Sequence, residues 1–421
     1  MAKGLRPSVT LVIMRILLLS DNFVPETNSP ARRAYEHARV WAATGHSVTV
    51  ITSVPNFPIG RPLPPYRNRL RQRERIDGID VVRVWTLLAP NRGVVRRSLD
   101  FLSFALAGFL GGLFEPCDVI IATSPQLLTG LAGWWLAAVK RRPWIFEVRD
   151  IWPDSIVSVG MMKENLFIRA LHVLERQLYQ HATRVVAVSG GIRQRLLARG
   201  VPAEKLGVVP NGVDLRRFGG AKKDYQLRES LGLQGKFVAG YVGTHGMAQG
   251  LETVVDAADR LRGRDIHFLF VGAGARRQAI VARATAMNLD NVTFIDLVPI
   301  ETATEYLRLC DLVLIPLKRT DQIEITLPGK LFEAAAMGKP MIVGAEGAST
   351  ELVQRYGAGI VVPPEDPKAL AKGVLRLRDD SALCGQLSAG SLALARDFDR
   401  DHFAREMLEQ ISLACKTGAT A

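Results

Sequence analysis

The chain has 421 residues, 48% hydrophobic and 23% charged, which excludes a disordered protein; at about 150 residues per domain it predicts two or three domains. The 54 lysines and arginines outnumber the 41 acidic residues, and a formal net charge of +13 is typical of proteins that meet nucleic acid, an anionic membrane or phosphorylated substrates. The four cysteines show no CxxC spacing, which excludes a zinc knuckle and a secreted disulfide framework, so we expect a reducing compartment.

The N-terminal residues resemble a signal peptide only in part. Lys3 and Arg6 precede an apolar run at 9–14, but Arg15 interrupts the run and no small-residue cleavage site follows it. The sequence therefore predicts that residues 1–13 are an extension of the fold, with Met14 as an alternative start.

Short apolar runs alternate with helical patterns through the first half. A helix is predicted over 31–44, where Gly45 provides a C-terminal stop. The predicted strands cover 16–20, 48–53, 81–85, 119–123, 144–148 and 185–189. Strands separated by helices predict a parallel sheet that is covered by helices on both faces.

Polar residues follow two of these strands. Asn22 comes after the first strand, and Arg149 and Asp150 come after the strand at 144–148. Ligands of such sheets bind at the carboxyl ends of the strands, so these residues are candidates for a binding site. A simple ion pair between Arg149 and Asp150 is the alternative interpretation.

A basic stretch precedes a long apolar run in this half. The run at 99–114 is shorter than the ~20 residues of a spanning helix. The arginines lie at 61, 67, 69, 71, 73, 75, 92, 96 and 97. A solvated basic loop followed by a buried helix is one interpretation, and a surface that binds anionic lipid is the other.

The second half repeats the alternation of strands and helices. Its predicted strands cover 237–242, 267–271, 292–295, 312–316, 340–343 and 360–362. Its predicted helices cover 251–261, 276–287, 303–310 and 331–337, followed by helices from 367 to 415. The turn-rich PNGVD at 210–214 marks the boundary, which gives domains of 1–210 and 211–395 and a helix at 396–421 that returns to the first domain.

Three segments of the second half have the features of a phosphate site. Gly243, Thr244, His245 and Gly246 follow a strand, and glycine lets backbone N–H groups approach an anion. The VGAG at 271–274 matches half of a dinucleotide fingerprint and is interpreted as a turn.

The third segment is the most informative. Pro328 and Gly329 open a helix in which Lys330 places a cation beside the N-terminus, an unfavourable position unless an anion binds there. Glu333 lies about one turn further along. A lysine for a diphosphate and a glutamate for ribose hydroxyls fit a nucleotide sugar. The spacing alone slightly favours the alternative, an i,i+3 ion pair at an ordinary helix start.

Several kinds of site are not indicated by any motif. None of the seven histidines has HxH or HExxH spacing, and neither a GxSxG elbow nor a Walker loop occurs. The sequence thus predicts no dedicated metal site and disfavours hydrolase and NTPase activity.

Together these segments resemble the retaining GT-B glycosyltransferases of family 4, over about residues 15–410. The likeness is greatest to the bacterial surface-polysaccharide branch, which includes colanic-acid-type and L-fucosamine transferases. The matching segments are RAYEHAR at 33–39, GHSVTV at 45–50, PNFP at 55–58, DGI at 77–79, VRDIWPDS at 148–155, PNGVD at 210–214, YVGTHGMAQGLE at 241–252, LPGKLFE at 327–333 and GKP at 338–340.

This resemblance implies two doubly wound Rossmann-like α/β domains that face a cleft, the first for the acceptor and the second for the nucleoside diphosphate sugar. It implies front-face retention, with the leaving diphosphate as proton acceptor and without a required cofactor or metal. The implied catalytic residues are Arg149, Asp150 and Lys330. The implied substrate-binding residues are Asn22, Gly243, Thr244, His245, Gly246, Pro328, Gly329 and Glu333.

Three positions depart from the family pattern. Ile325 occupies the place of the first glutamate of the paired-glutamate motif, and 247–249 lacks the lysine of many relatives. Arg149 stands where many relatives have an acceptor-side histidine. The missing lysine implies that Lys330 carries more of the diphosphate contact, with an arginine as a candidate second group.

The resemblance also implies partners and a location. It favours a UDP-linked donor, with N-acetyl-L-fucosamine as the candidate sugar, and a saccharide or polyprenyl-linked acceptor in O-antigen, capsule or exopolysaccharide synthesis. It places a cytoplasmic protein peripherally on the inner face of the membrane, where each basic residue contributes ~1 kcal/mol. A nucleotide-sugar 2-epimerase is the alternative enzyme, and no readable nucleic-acid module supports a nucleic-acid binder.

Overall fold

Two β-sheets organise this computed structural model, which describes residues 13–57, 59–89, 94–158, 160, 162–218 and 225–418. The predicted extension at 1–12 and Arg92 lie outside those residues. The strands are β1 (Arg15–Leu19), β2 (Ser47–Ser53), β3 (Arg71–Ile76), β4 (Ile79–Val84), β5 (Val119–Thr123), β6 (Trp144–Val148), β7 (Arg184–Ala187), β8 (Leu206–Val208), β9 (Phe237–Val242), β10 (Ile266–Val271), β11 (Val292–Ile295), β12 (Leu312–Pro316), β13 (Met341–Gly344) and β14 (Gly359–Val362).

Helices separate most of these strands, as the alternating pattern predicts. They are α1 (Ser29–Ala43), α2 (Val94–Leu113), α3 (Leu127–Lys140), α4 (Asp154–Ser158), α5 (Leu166–His181), α6 (Gly190–Ala198), α7 (Leu215–Phe218), α8 (Tyr225–Ser230), α9 (Leu251–Arg260), α10 (Arg277–Ala286), α11 (Ile300–Leu309), α12 (Asp321–Glu324), α13 (Gly329–Ala336), α14 (Ala348–Tyr356), α15 (Pro367–Asp379), α16 (Ser381–Asp397) and α17 (Arg400–Gly418). Asn28 caps α1, since its Oδ1 accepts from the amide of Ala31 at 2.9 Å.

The first sheet has eight strands in the order β3-β4-β2-β1-β5-β6-β7-β8. β1 pairs in parallel with β2 and β5, which confirms the predicted parallel sheet. The interpretation of the arginine run as a loop is wrong for its last part, because Arg71–Ile76 forms β3 antiparallel to β4. Charged side chains are tolerated there because β3 is an edge strand.

The second sheet has six strands in the order β11-β10-β9-β12-β13-β14, with the pairs β9–β10, β10–β11, β9–β12, β12–β13 and β13–β14 all parallel. Alternate residues of β12 enter different cores. Leu312 and Leu314 pack on one face with α9 and α15, whereas Val313 and Ile315 pack on the other with α13. Helices on both faces therefore bury both sides of the sheet.

The chain divides into two compact units. One comprises Met1–Glu147, His181–Val185 and Met407–Ala421, and the other comprises Val148–Gln180 and Val186–Glu406. Within the first unit, Met407 and Ile411 of α17 are fully buried, and Met407 lines a small cavity with Leu18 and Trp41. The boundaries expected at 210 and 395 stay predictions.

A buried ion pair joins α1 to β6 in the first unit. Arg33 Nε donates to Glu147 Oε1 at 2.9 Å, and the side chains are 1% and 6% exposed. Thr123 Oγ1 donates to the other carboxylate oxygen at 2.6 Å. Good geometry on both oxygens compensates the desolvation of these charges.

Helix α2 has two different apolar faces. Phe101, Phe104 and Ala105 are buried, whereas a second set lies at i, i+3 and i+4 spacing on the exposed side. That exposed set, called the α2 stripe below, consists of Val95, Leu99, Leu102, Leu106 and Leu110. No helix within the described ranges, α2 included, has the length and hydropathy of a membrane-spanning segment.

Candidate functional site

Two glycine turns pack against each other at the carboxyl ends of β9 and β10. A Cβ on Gly272 would lie 2.1 Å from the Gly243 carbonyl oxygen, and a Cβ on Gly274 would lie 2.4 Å from the His245 carbonyl oxygen. Gly243 has φ +139° and Gly272 has φ +136°, a backbone region that favours glycine. Only glycine permits this contact, because any Cβ would clash with the facing carbonyl oxygen. The backbone groups of both turns lie at the carboxyl ends of the strands, where ligands of parallel sheets bind.

Lys330 lies beside the first of these turns. A Cβ on Gly243 would be 3.7 Å from Lys330 Nζ. The same Nζ donates to the Tyr241 hydroxyl and lies 4.0 Å from the centre of the Tyr241 ring. The helix start that the sequence indicates thus delivers its cation to the glycine turn after β9.

The N-terminus of α13 adds further donors to this region. Pro328 is the N-cap residue and provides no capping side chain, while Gly329 is the first helical residue. The first N–H groups of a helix have no partner within it, and the helix dipole favours an anion there. Glu333 lies half-buried in the next turn, and its charge raises the pKa of Lys330.

Burial acts against the charge of Lys330. Desolvation lowers its pKa to about 7, and Glu333 opposes this shift. Tyr241 is fully buried, and its hydroxyl donates to the Thr244 carbonyl oxygen at 2.6 Å. Burial raises the pKa of Tyr241, so the tyrosine stays protonated and uncharged. Its hydroxyl oxygen orients Lys330 by accepting a hydrogen bond from Nζ.

His245 is buried within the same turn rather than exposed to a ligand. Its side chain is 0% exposed, and neither ring nitrogen makes a hydrogen bond. Burial lowers its pKa to about 4, and the positive charges of Arg277 and Lys330 contribute to that shift. The neutral ring packs 5.7 Å from the Tyr241 ring, so His245 shapes the turn through its backbone. Gly246 immediately precedes a short 3-10 helix, Met247–Gln249.

Arg149 and Asp150 directly follow β6, as expected. Arg149 is 8% exposed and Asp150 is half-buried. Burial raises the pKa of Asp150, whereas Arg149 opposes the shift. A nearby ion-pair group fixes this segment, since Asp154 binds Arg199, which binds Glu175 Oε2 at 2.6 Å.

Asn22 follows β1 and is half-buried, and Ser20 Oγ donates to its carbonyl oxygen at 2.7 Å. Three carboxyl groups to which motif reasoning assigned no role belong to the same unit, namely Asp21, Glu26 and Asp100. Burial raises the pKa of Asp21 to about 6 and of Asp100 to about 7, and it also raises that of Glu26. Position after β1 is a signal for Asp21, but nothing in the sequence links it to Asp100.

Ile325 explains one departure from the family pattern. A Cβ on Gly191 would lie 2.8 Å from Ile325 Cβ, and Ser189 Oγ donates to the Ile325 carbonyl oxygen at 2.6 Å. The residue therefore has a packing role at a position where the pattern has a carboxylate. Tyr241 and Arg277 also escaped motif reasoning, because an aromatic residue in a strand and an arginine at a helix start are common structural features.

No group of three or more histidine, cysteine or acidic side chains suited to a metal ion occurs in the described part of the chain. The described residues around Gly243 offer positive charge and backbone N–H donors. A lysine, a helix N-terminus and glycine amides are suited to an anion with several oxygens.

Comparison with known proteins identifies similar chains. Residues 29–212 match a glycosyl transferase 4-like domain and residues 236–380 match glycosyl transferases group 1. The putative colanic acid biosynthesis glycosyl transferase WcaI of Escherichia coli is 29% identical over 86% of this chain and 91% of its own length.

Solved structures share the fold over nearly the whole chain. Sucrose-phosphate synthase from Thermosynechococcus elongatus superposes with a TM-score of 0.75 at 21% identity, over 94% of this chain and 98% of that one. HepE of Anabaena in complex with UDP and glucose has a TM-score of 0.71 at 19% identity, over 95% and 99% of the two chains.

Proposed function

Because the chain belongs to the glycosyltransferases of the GT-B fold, with a glycosyl transferase 4-like domain before a group 1 domain, we propose that it transfers a sugar with retention from a nucleoside diphosphate sugar. The observation that carries this proposal is Lys330 beside Gly243 at the start of α13. The UDP complex of HepE supports a nucleotide donor in this fold.

In the proposed reaction the protein supplies charge and position rather than a nucleophile. The bond between the anomeric carbon and the diphosphate oxygen breaks as an acceptor hydroxyl attacks from the same face. The leaving diphosphate takes the hydroxyl proton, while Lys330 and the amides near Gly329 stabilise its negative charge. Glu333 accepts hydrogen bonds from the ribose hydroxyls, and no metal is required.

A thermal-shift screen against UDP, GDP, ADP and dTDP, with and without magnesium, tests the donor class. A ligand that binds only the folded state raises the melting temperature by mass action. We expect a clear shift with one diphosphate, UDP foremost, and no requirement for magnesium. No shift with any of the four would contradict the proposed donor site, and free epimer made without an acceptor would favour a 2-epimerase.

The acceptor is proposed to be a saccharide or a polyprenyl-linked saccharide in bacterial surface polysaccharide synthesis. The similarity to WcaI, named for colanic acid biosynthesis, supports this role. N-acetyl-L-fucosamine remains the proposed sugar. Asn22, Arg149 and Asp150 are the proposed acceptor-side residues.

The inner membrane surface is the proposed location, and the α2 stripe carries that proposal. Val95 is 73% exposed, Leu106 48% and Leu110 56%. The exposed arginines Arg71 and Arg73 of β3 both bind Glu115, two residues after α2, so their guanidinium groups lie near the end of that helix. Apolar side chains beside guanidinium groups provide the two signals that peripheral attachment to anionic lipid requires.

Replacing Leu102 and Leu106 together by serine is expected to weaken binding to vesicles with anionic lipid about tenfold or more, because each exposed leucine loses its burial in lipid. Sedimentation with vesicles of anionic and of neutral lipid measures this change. Leu392→Ser is the matched control, since Leu392 on α16 is 40% exposed against 41% for Leu102. Equal vesicle binding by the wild-type protein, the double variant and Leu392→Ser would exclude the α2 stripe as the membrane-binding surface.

A further inference from the structure

A second cation approaches the glycine turns from the helix after β10. The loop that holds Gly272 and Gly274 leads directly into α10, whose first residue is Arg277. The amide of Arg276 donates to the His245 carbonyl oxygen at 2.9 Å, and the amide of Arg277 donates to the Gly274 carbonyl oxygen at 3.1 Å. These bonds fix the start of α10 against the turn that Lys330 reaches from α13.

The guanidinium of Arg277 is only partly satisfied. Its Nε and Nη2 donate to Asp296 Oδ1 at 3.2 and 2.6 Å. Its Nη1 is buried without a hydrogen-bond partner, although the Asp296 side chain is 90% exposed. A buried guanidinium N–H without an acceptor is costly, so an acceptor from a ligand would stabilise this arrangement.

Charge at His245 supports the convergence of the two cations. Burial lowers the pKa of His245, and the positive charges of Arg277 and Lys330 lower it further. His245 belongs to the first glycine turn, and its carbonyl oxygen contacts Gly274 of the second. The neighbouring stretch 246–250 contains no basic residue. A second positive charge for a diphosphate therefore has to come from another element, and Arg277 is placed to provide it.

We propose that Arg277 is a binding residue for the diphosphate of the donor, with Nη1 donating to a phosphate oxygen while Lys330 neutralises the same group from α13. This inference rests on the proposed nucleotide-sugar donor and assigns it a residue that the family motifs do not contain. Asp296, whose side chain is 90% exposed, accepts only from Nε and Nη2, so the proposed contact through Nη1 does not depend on it.

Calorimetric titration of Arg277→Met with UDP, GDP and inorganic pyrophosphate tests the assignment. Methionine keeps an unbranched apolar stem near Phe294, over which the guanidinium carbon lies at 5.4 Å from the ring centre. For each probe that the wild-type protein binds, we expect a Kd about 10- to 100-fold higher, as for the loss of a charge-assisted hydrogen bond. Arg277→Lys, which retains the charge, is expected to recover part of the affinity.

Two control variants separate binding from structure. Arg276→Met removes the neighbouring arginine, which pairs with Glu252, and Asp296→Asn removes the partner of Arg277. Both are expected to bind within about twofold of wild type, because neither loses the Nη1 contact. Unchanged affinity of Arg277→Met overturns the proposal, as does an equal loss in Arg277→Met and Asp296→Asn.

Pyrophosphate distinguishes the part of the donor that Arg277 contacts. Weaker nucleotide binding with unchanged pyrophosphate binding would assign Arg277 to the ribose or base and overturn the diphosphate contact. Absence of all nucleotide binding by the wild-type protein would instead refute the proposed function itself. If Arg277→Met fails to fold, Arg277→Lys still decides: its Kd is expected to lie above the wild-type value, because an ammonium group does not reproduce the guanidinium contact, and a Kd equal to that of the wild-type protein overturns the proposal.

Discussion

Lys330→Ala is expected to lower turnover about a hundred- to a thousand-fold while leaving the fold intact. The proposed role of Lys330 is to stabilise the charge that develops on the leaving diphosphate, and loss of one such preorganised donor costs about this much in kcat. The melting temperature is expected to stay equal or rise, because burial already disfavours the charged lysine and lowers its pKa to about 7. Release of nucleoside diphosphate gives kcat, and thermal denaturation monitors folding.

Lys372→Ala is the matched control, since Lys372 is exposed on α15 of the same unit. It is expected to have wild-type turnover. Wild-type kcat in a folded Lys330→Ala protein would remove Lys330 from the proposed mechanism.

The pH dependence of donor binding provides a second readout for the same lysine. Below pH 7 Lys330 is protonated in the free protein, and donor affinity is expected to be constant. Above pH 7 the free lysine is neutral and must take up a proton to bind the anion, so Kd rises about tenfold per pH unit. Lys330→Arg is expected to remove this dependence, because arginine stays charged. A flat wild-type profile from pH 7 to about 9 would contradict the lysine–phosphate contact.

Arg33→Met is expected to lower the free energy of unfolding by about 3–5 kcal/mol, the largest stability effect that we derive from the fold. The substitution leaves the carboxylate of Glu147 buried without the guanidinium that binds it at 2.9 Å. Urea denaturation of the wild-type and variant proteins measures the difference. The double variant Arg33→Met/Glu147→Leu is expected to recover most of it, because no uncompensated charge remains.

An exposed ion pair offers the comparison for this effect. Arg15 and Asp118 are 47% and 31% exposed, so Arg15→Met is expected to lower the free energy of unfolding far less than Arg33→Met. An Arg33→Met protein as stable as Arg15→Met would mean that the buried pair contributes nothing beyond a surface pair.

Much of the fold follows from hydrophobic periodicity. The largely apolar sequences of β1, β5 and β6 predict strands of a parallel sheet, and every residue of these strands except Arg15 is buried. β3 was not predicted because its RQRERI sequence has only one apolar residue. It forms a strand through pairing with β4, a contact that no local pattern contains.

The candidate site was predictable where one short segment contains both the helix start and the positively charged residue. Pro328, Gly329 and Lys330 show such a pattern, and the structure places the lysine beside Gly243, 87 positions earlier in the numbering. Tyr241 and Arg277 depend instead on tertiary contacts. From the sequence alone, a tyrosine in a buried strand is predicted to be a core residue. Only the structure shows that its hydroxyl accepts a hydrogen bond from Lys330.

The end of α17 has a consequence for exchanging parts between related transferases. Residues Met407–Ala421 cluster with the first unit, where Met407, Ile411 and Ala414 are fully buried and Gln410 accepts from Arg184 at 2.8 Å. A hybrid enzyme with one crossover would combine a native first unit with a foreign final helix. Recombination at two points, so that positions 407–421 travel with the N-terminal parent, preserves these contacts while the second unit is exchanged.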